Sequence, residues 1–94
     1  MIKSFRCRPT EAIFLDRQAP ELPSTIQATA RRKLLQLHLA RVLSDLRVPP
    51  GNRLEALKGA RRAGQHSIRI NDQWRVCFRW TAAGAEDVEI VDYH

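Results

Sequence analysis

The sequence predicts an α+β fold in which two N-terminal helices pack on a small antiparallel sheet. Apolar residues at helical spacing occupy the first half of the chain, and alternating apolar and polar residues occupy the second half. A chain of 94 residues with 44% hydrophobic side chains has the length and composition of one compact two-layer domain, over residues 1–94.

The first twenty residues predict a short strand and then a short helix. Residues 2–5 directly follow the initiator methionine and suit a first strand. Thr10 is predicted to be the N-cap of a helix over residues 11–18, which ends before Pro20 because proline cannot continue a helix.

A second, longer helix is predicted to begin at Ser24 or Thr25 and to end near residues 42–46, before the Pro-Pro-Gly-Asn loop. Spacings of four and three draw one apolar face, formed by Ile26, Ala30, Leu34 and Leu37. The basic residues of this region fall mostly off that face, and we interpret them as solvated surface, with RNA or a protein partner as the alternative contact: Arg31, Arg32, Lys33 and Arg41.

The second half of the chain predicts three or four strands. Residues 66–70 and 74–80 alternate and are separated by a tight connection, which indicates an antiparallel hairpin. Residues 53–57 suit a short strand or turn, and residues 88–93 are predicted to form the last strand.

One face of this sheet is predicted to be apolar and the other cationic. Trp74, Val76, Phe78 and Trp80 share the first face, which the two helices would cover. Arg69, Arg75 and Arg79 would project from the uncovered face, a suitable surface for phosphates. The alternative is an exposed face kept in solution by charge, with these arginines paired to Glu89 or Asp87.

The net charge of +6 is concentrated in one third of the chain. Between Arg47 and Arg79 there are eight basic and two acidic side chains, whereas the remaining eight basic and eight acidic side chains cancel. A polyanion such as nucleic acid is the natural partner of such a patch, and a merely solubilising surface is the alternative.

Neither a cofactor nor a membrane is indicated. Cys7 and Cys77 lack metal-ligand spacing and suit free thiols in a reducing cytoplasm, and His38, His66 and His94 are scattered. No apolar run suggests a signal peptide or a membrane span. We therefore predict a cytoplasmic protein without metal or organic cofactor.

Four segments of the chain resemble HigB-type toxins of the RelE/ParE superfamily, a group that includes the growth-slowing GraT toxins. They are MIKSF (1–5), PPGNRLEALKG (49–59), SIRINDQWR (67–75) and VDYH (91–94), and they occur in the family's order. The resemblance implies the RelE-like microbial ribonuclease fold and a type II toxin–antitoxin system. It also implies a helix-turn-helix, HigA-like antitoxin as partner, through which alone operator DNA would be contacted.

The activity that the resemblance implies is cleavage of mRNA in the A site of the ribosome. By position, Lys58 and Arg75 match basic residues of the family's active site, and Asp92, Tyr93 and His94 match its C-terminal catalytic cluster. Some HigB toxins have a catalytic histidine where this chain has Glu55; that carboxylate could act as a base, or the role could be absent.

Cleavage of RNA without metal needs a base for the 2′-hydroxyl, positive charge at the phosphorane and an acid for the leaving 5′-oxygen. His94 is the candidate for proton transfer, Asp92 for orienting it, and Tyr93 for stacking on a base or bonding to phosphate. Further arginines are expected to bind the RNA: Arg53, Arg61, Arg62, Arg69 and Arg79.

Two other functions are compatible with a small basic α+β protein. One is a non-catalytic toxin that binds and blocks its target, as ParE relatives block DNA gyrase; the combination of Lys58, Arg75 and the Asp-Tyr-His ending argues for cleavage instead. The other is a DNA-binding module, but the basic residues concentrate on strands and loops and no recognition helix is evident.

Overall fold

A four-stranded antiparallel sheet dominates the computed structural model, which describes residues 1–92. The strands lie in chain order and are β1 (Glu55–Ala56), β2 (Gln65–Arg69), β3 (Trp74–Thr81) and β4 (Gly84–Asp92). The predicted hairpin is confirmed, because β2 and β3 pair antiparallel from Gln65 opposite Arg79 to Arg69 opposite Arg75.

Two helices, α1 (Arg8–Phe14) and α2 (Ser24–Leu39), cover one face of this sheet, so the predicted α+β architecture is confirmed. The predicted apolar face of α2 is buried and packs in one core with Val76 and Phe78 of β3. Within the described residues, neither helix is long and apolar enough to cross a membrane.

The predicted capping role of Thr10 is wrong. Helix α1 begins at Arg8, with Cys7 in the cap position, and Thr10 is fully buried one turn further on. Its hydroxyl accepts a hydrogen bond of 2.8 Å from the backbone N–H of Ile90, so it joins α1 to β4 instead. The helix ends at Phe14, before residue 18, because Asp16 adopts a left-handed conformation with φ of 58°.

Helix α2 also ends earlier than predicted, at Leu39. The Asp45 carboxylate accepts hydrogen bonds from the backbone N–H groups of Arg41 and Val42, at 2.9 and 3.2 Å, and these bonds lower the pKa of Asp45. They support a separate 3-10 helix, Leu43–Arg47, in place of a last turn of α2.

The N-terminal segment does not form the predicted continuous strand. It runs parallel to β4 and pairs with it at two separate points, Ile2 with Ala85 and Phe5 with Val88. The approach is close at Gly84, where φ is +134° and a Cβ atom would lie 2.2 Å from the Met1 carbonyl oxygen. Only glycine fits there. The last strand begins at this residue and not, as predicted, at residue 88.

Lys33 is buried, which corrects its interpretation as solvated surface. Its Nζ donates a hydrogen bond of 2.6 Å to Oδ1 of the fully buried Asn52, and burial lowers the pKa of Lys33. The Asn52 amide donates in turn to Gln36 Oε1 and to the Leu46 carbonyl, both at 3.1 Å. This network ties the loop that precedes β1 to α2.

Candidate functional site

A row of four residues crosses all four strands on the face opposite α1 and α2. Strand pairing places Glu55 beside Ser67, Ser67 beside Cys77, and Cys77 beside Glu89. Three strand spacings separate the outer two backbones by about 14 Å. The row is a floor of two small, buried residues between two carboxylates.

Arg75 lies over the Ser67 end of this floor. Its Nη1 donates hydrogen bonds to Ser67 Oγ at 2.9 Å and to the Arg53 carbonyl oxygen at 3.4 Å. The same atom lies 3.1 Å from Glu55 Oε1 in an ion pair. Arg53 itself has a left-handed backbone, which turns the chain into β1. The structure thus brings together two predicted site residues, Arg75 and Glu55, and fixes them through the loop that Asn52 holds.

Arg62 lies over the other end of the floor. It comes from a short 3-10 turn, Ala60–Arg62, and its Nη1 donates to Gln65 Oε1 at 3.1 Å and to Glu89 Oε1 at 3.4 Å. Glu89 also pairs with Arg6, whose Nε is 4.0 Å from the same oxygen. Glu89 is thus in ion pairs with arginines other than the three of the sheet face, and nothing in the sequence indicated Arg6 as one of them.

Cys77 shows how closely these charges converge. Burial raises the pKa of its thiol to about 11, with smaller and opposing effects from Arg62 and Arg75 on one side and Glu89 and Glu55 on the other. The thiol is therefore protonated at neutral pH and serves as a small, buried strand residue. Both cysteines are free thiols.

Arg69 and Arg79 stand at the margins of the cationic face, and both are in ion pairs. Arg79 Nε lies 3.7 Å from Asp87, which is the pairing that the alternative interpretation of the sheet face anticipated. Arg69 pairs with Asp72 in the β2–β3 turn.

Lys58, Arg61 and Arg53 are exposed in the segments directly before and after β1. Within residues 1–92, their side chains form no hydrogen bond or ion pair. They are thus positioned to meet an anion without first giving up a protein contact.

The C-terminal candidates are only partly described. Asp92 is exposed and accepts a hydrogen bond of 3.0 Å from Gln73 Nε2. It pairs with Trp74, so alternation places it on the helix side of the sheet, whereas Arg75 pairs with Val91 on the opposite side. Tyr93 and His94 lie outside the described residues.

The other two histidines have structural surroundings. His38 Nδ1 accepts a hydrogen bond of 3.1 Å from the Ile2 backbone, and His66 stacks on Phe78 with ring centroids 6.2 Å apart. Among residues 1–92, no three side chains of histidine, cysteine, aspartate or glutamate are grouped so that they could hold a metal ion.

Comparison with known proteins agrees with the resemblance seen in the sequence. Residues 3–94 match the family model described as the RelE-like toxin of the type II toxin–antitoxin system HigB. The chain is also similar to Toxin HigB-1 of Vibrio cholerae serotype O1, with 46% identity over 65 residues, which are 69% of this chain and 67% of that protein. The chain therefore belongs to the HigB-like family of RelE-type toxins of type II toxin–antitoxin systems.

Proposed function

We propose that the protein is an endoribonuclease that cleaves mRNA on the ribosome, in the cytoplasm, without a metal ion or organic cofactor. Toxins of the HigB type inhibit translation by cleaving mRNA, and this chain is one of them. The observation that carries the proposal is the position of Arg75, held beside Glu55 over a floor that neither helix covers.

Positive charge at the scissile phosphate is the first requirement of the chemistry. Arg75 presents a planar guanidinium whose geometry suits two phosphate oxygens, and its bonds to Ser67 and Arg53 fix its orientation before RNA arrives. Lys58 is exposed nearby in the loop after β1 and adds a second, more mobile charge. Preorganised charge of this kind stabilises the phosphorane.

Proton transfer is the second requirement. Glu55 lies 3.1 Å from Arg75 Nη1. When Arg75 binds the scissile phosphate, the 2′-hydroxyl of the adjoining ribose therefore comes close to the Glu55 carboxylate, which we propose as the base. His94 is proposed as the acid for the leaving oxygen, and Asp92 as the residue that orients it. Tyr93 is proposed to stack on a base of the mRNA.

The partners follow from the family. A type II toxin has an antitoxin, and we propose a helix-turn-helix antitoxin of the HigA kind, which alone would contact operator DNA. The candidate site lies on a sheet face that neither helix covers, so the ribosome is proposed to supply the positioning of the mRNA.

The test is cleavage of mRNA on purified, programmed ribosomes, with 5′ ends mapped by primer extension. Arg75→Ala is expected to reduce the cleavage rate by about 100-fold or more, as loss of a preorganised charge does. Arg17→Ala is the matched control, because Arg17 is an exposed arginine beside α1, away from the cationic face. Equal rates for wild type and Arg75→Ala would contradict the proposal.

Two further arms of this experiment test its finer parts. Cleavage of naked RNA as fast as ribosome-bound mRNA would contradict ribosome dependence. Loss of cleavage on addition of 1,10-phenanthroline, at constant Mg²⁺ so that ribosomes stay intact, would contradict independence from a transition metal.

A further inference from the structure

The Glu89 carboxylate joins two arginines from separate parts of the chain. Its Oε1 lies 3.4 Å from Arg62 Nη1 and 4.0 Å from Arg6 Nε. Arg6 is held there by its backbone, since its N–H donates a hydrogen bond of 2.9 Å to the Val88 carbonyl. The three side chains therefore form a group that the parallel pairing of the N-terminal segment with β4 builds into the fold.

This Arg6–Glu89–Arg62 group retains positive charge, because one carboxylate neutralises only one of two guanidinium groups. The pairs Arg79–Asp87 and Arg69–Asp72, in contrast, are each neutral.

The arrangement of the group also favours an anion. The exposed fraction is 56% for the side chain of Arg6 and 38% for Arg62, but only 19% for Glu89. An approaching anion therefore meets the two cations before it meets the carboxylate beneath them.

The group adjoins the candidate cleavage site but is too distant to share its phosphate. Glu89 is on β4 and Ser67, beneath Arg75, is on β2, two strand spacings or about 10 Å away. Among the described residues, strand pairing places between them Cys77, a small buried residue. A chain of phosphates crossing this floor would reach Arg75 and the Arg6–Glu89–Arg62 group in succession.

We propose that Arg6 and Arg62, spaced by Glu89, bind a neighbouring phosphate of the single-stranded RNA whose cleavage the previous section proposes. Two arginines suit phosphate because each guanidinium can donate to two of its oxygens. Glu89 is a positioning residue, which holds the arginines apart and limits their affinity for RNA. The inference rests on the proposed function for the identity of the ligand.

The test measures binding without cleavage. The probe is a fully 2′-O-methylated RNA oligonucleotide, which lacks the attacking hydroxyl, and its affinity is measured by fluorescence anisotropy over a range of salt concentrations. Loss of one phosphate contact with a single strand lowers the slope of log affinity against log salt by about 0.7. Arg6→Ala is expected to show this change, Arg6→Lys to retain the wild-type slope, and the control Arg17→Ala to leave it unaltered.

A second variant tests the role of Glu89. Glu89→Gln removes the negative charge and keeps the shape, so we expect its affinity for the oligonucleotide to rise about two- to five-fold at low salt. Thermal unfolding of each variant checks that the fold is kept.

Equal slopes for wild type and Arg6→Ala, or no measurable binding by the wild type at low salt, would overturn the inference. So would an Arg6→Ala variant that binds the antitoxin more weakly but the RNA normally, since the group would then recognise a protein. The binding test does not depend on cleavage, because the oligonucleotide is not cleaved. If the salt slope depends on Arg6 but the protein does not cleave mRNA on ribosomes, the proposed function is overturned and the RNA-binding subsite is retained.

Discussion

The two faces of the sheet are closed in different ways. On the face covered by α1 and α2, apolar side chains such as Val76 and Phe78 exclude water by packing. On the opposite face, Ser67 and Cys77 are just as buried, but charged side chains in ion pairs cover them. Because β3 contributes alternate residues to both faces, adjacent positions in one strand should differ in whether a substitution costs stability or activity.

The largest expected effect on stability is that of Phe78→Ala. Phe78 is fully buried at the centre of the core, and loss of its ring should lower the free energy of unfolding by about 3–5 kcal/mol. Urea unfolding followed by circular dichroism measures this change. Leu39→Ala, at an exposed apolar position, is the control and should change stability by less than about 0.5 kcal/mol.

Asn52→Ala should be the next most destabilising, by about 2–3 kcal/mol, because it leaves the buried Lys33 ammonium and the Leu46 carbonyl without their partner. The double variant Lys33→Met/Asn52→Leu removes both polar groups and should recover part of the loss, which urea unfolding of the two variants measures. A double variant less stable than Asn52→Ala would show that the network stabilises the fold by more than providing hydrogen-bond partners for its own buried polar groups.

Adjacent residues of β3 provide the sharpest test of the comparison. Val76→Ala removes two buried methyl groups and should cost about 2 kcal/mol of stability with cleavage retained. Arg75→Ala removes a largely buried side chain with polar partners, so it should cost about 1–2 kcal/mol, and it should abolish most cleavage. Thermal unfolding and the ribosome assay are run on both variants. The separation of the two faces would be refuted if Val76→Ala and Arg75→Ala each lost both stability and cleavage to the same degree.

The last prediction concerns alkaline pH. The pKa of Cys77 is raised from about 9 to about 11 in the folded protein, so above pH 9 the unfolded chain releases a proton that the folded chain keeps. The contribution of Cys77 to stability should be constant below pH 9 and should fall between pH 9 and 11, by about 2–3 kcal/mol for a shift of two pKa units. Urea unfolding at several pH values should show a flatter profile for Cys77→Ala; identical profiles would contradict this.

Local patterns in the sequence correctly predicted the features that depend on residues close together in the chain, namely the faces of strands and helices. Alternation in β3 separated Val76 and Phe78 from Arg75 correctly, and helical spacing gave the buried face of α2. Thr10 and Lys33 were misjudged because their partners, Ile90 and Asn52, lie 80 and 19 residues away.

The candidate site shows the same limit. Resemblance to the family pointed to Arg75 and Glu55, but nothing in the sequence linked them as an ion pair. Arg6 was not predicted at all, because its position beside Glu89 arises from pairing between the two ends of the chain. A periodic pattern carries no information about contacts of that range.

Gly84 has a consequence beyond its own turn. Its missing side chain lets the Met1 carbonyl come close enough to accept a hydrogen bond of 3.0 Å from the Ala85 N–H, the first of the bonds that align the N-terminal segment with β4. Further along both segments, the same alignment sets the distance between Arg6 and Glu89. A methyl group at position 84 would shift that register. Gly84, a hairpin residue outside the proposed phosphate sites, therefore governs the spacing between the charges of Arg6 and Glu89 that an RNA strand would meet.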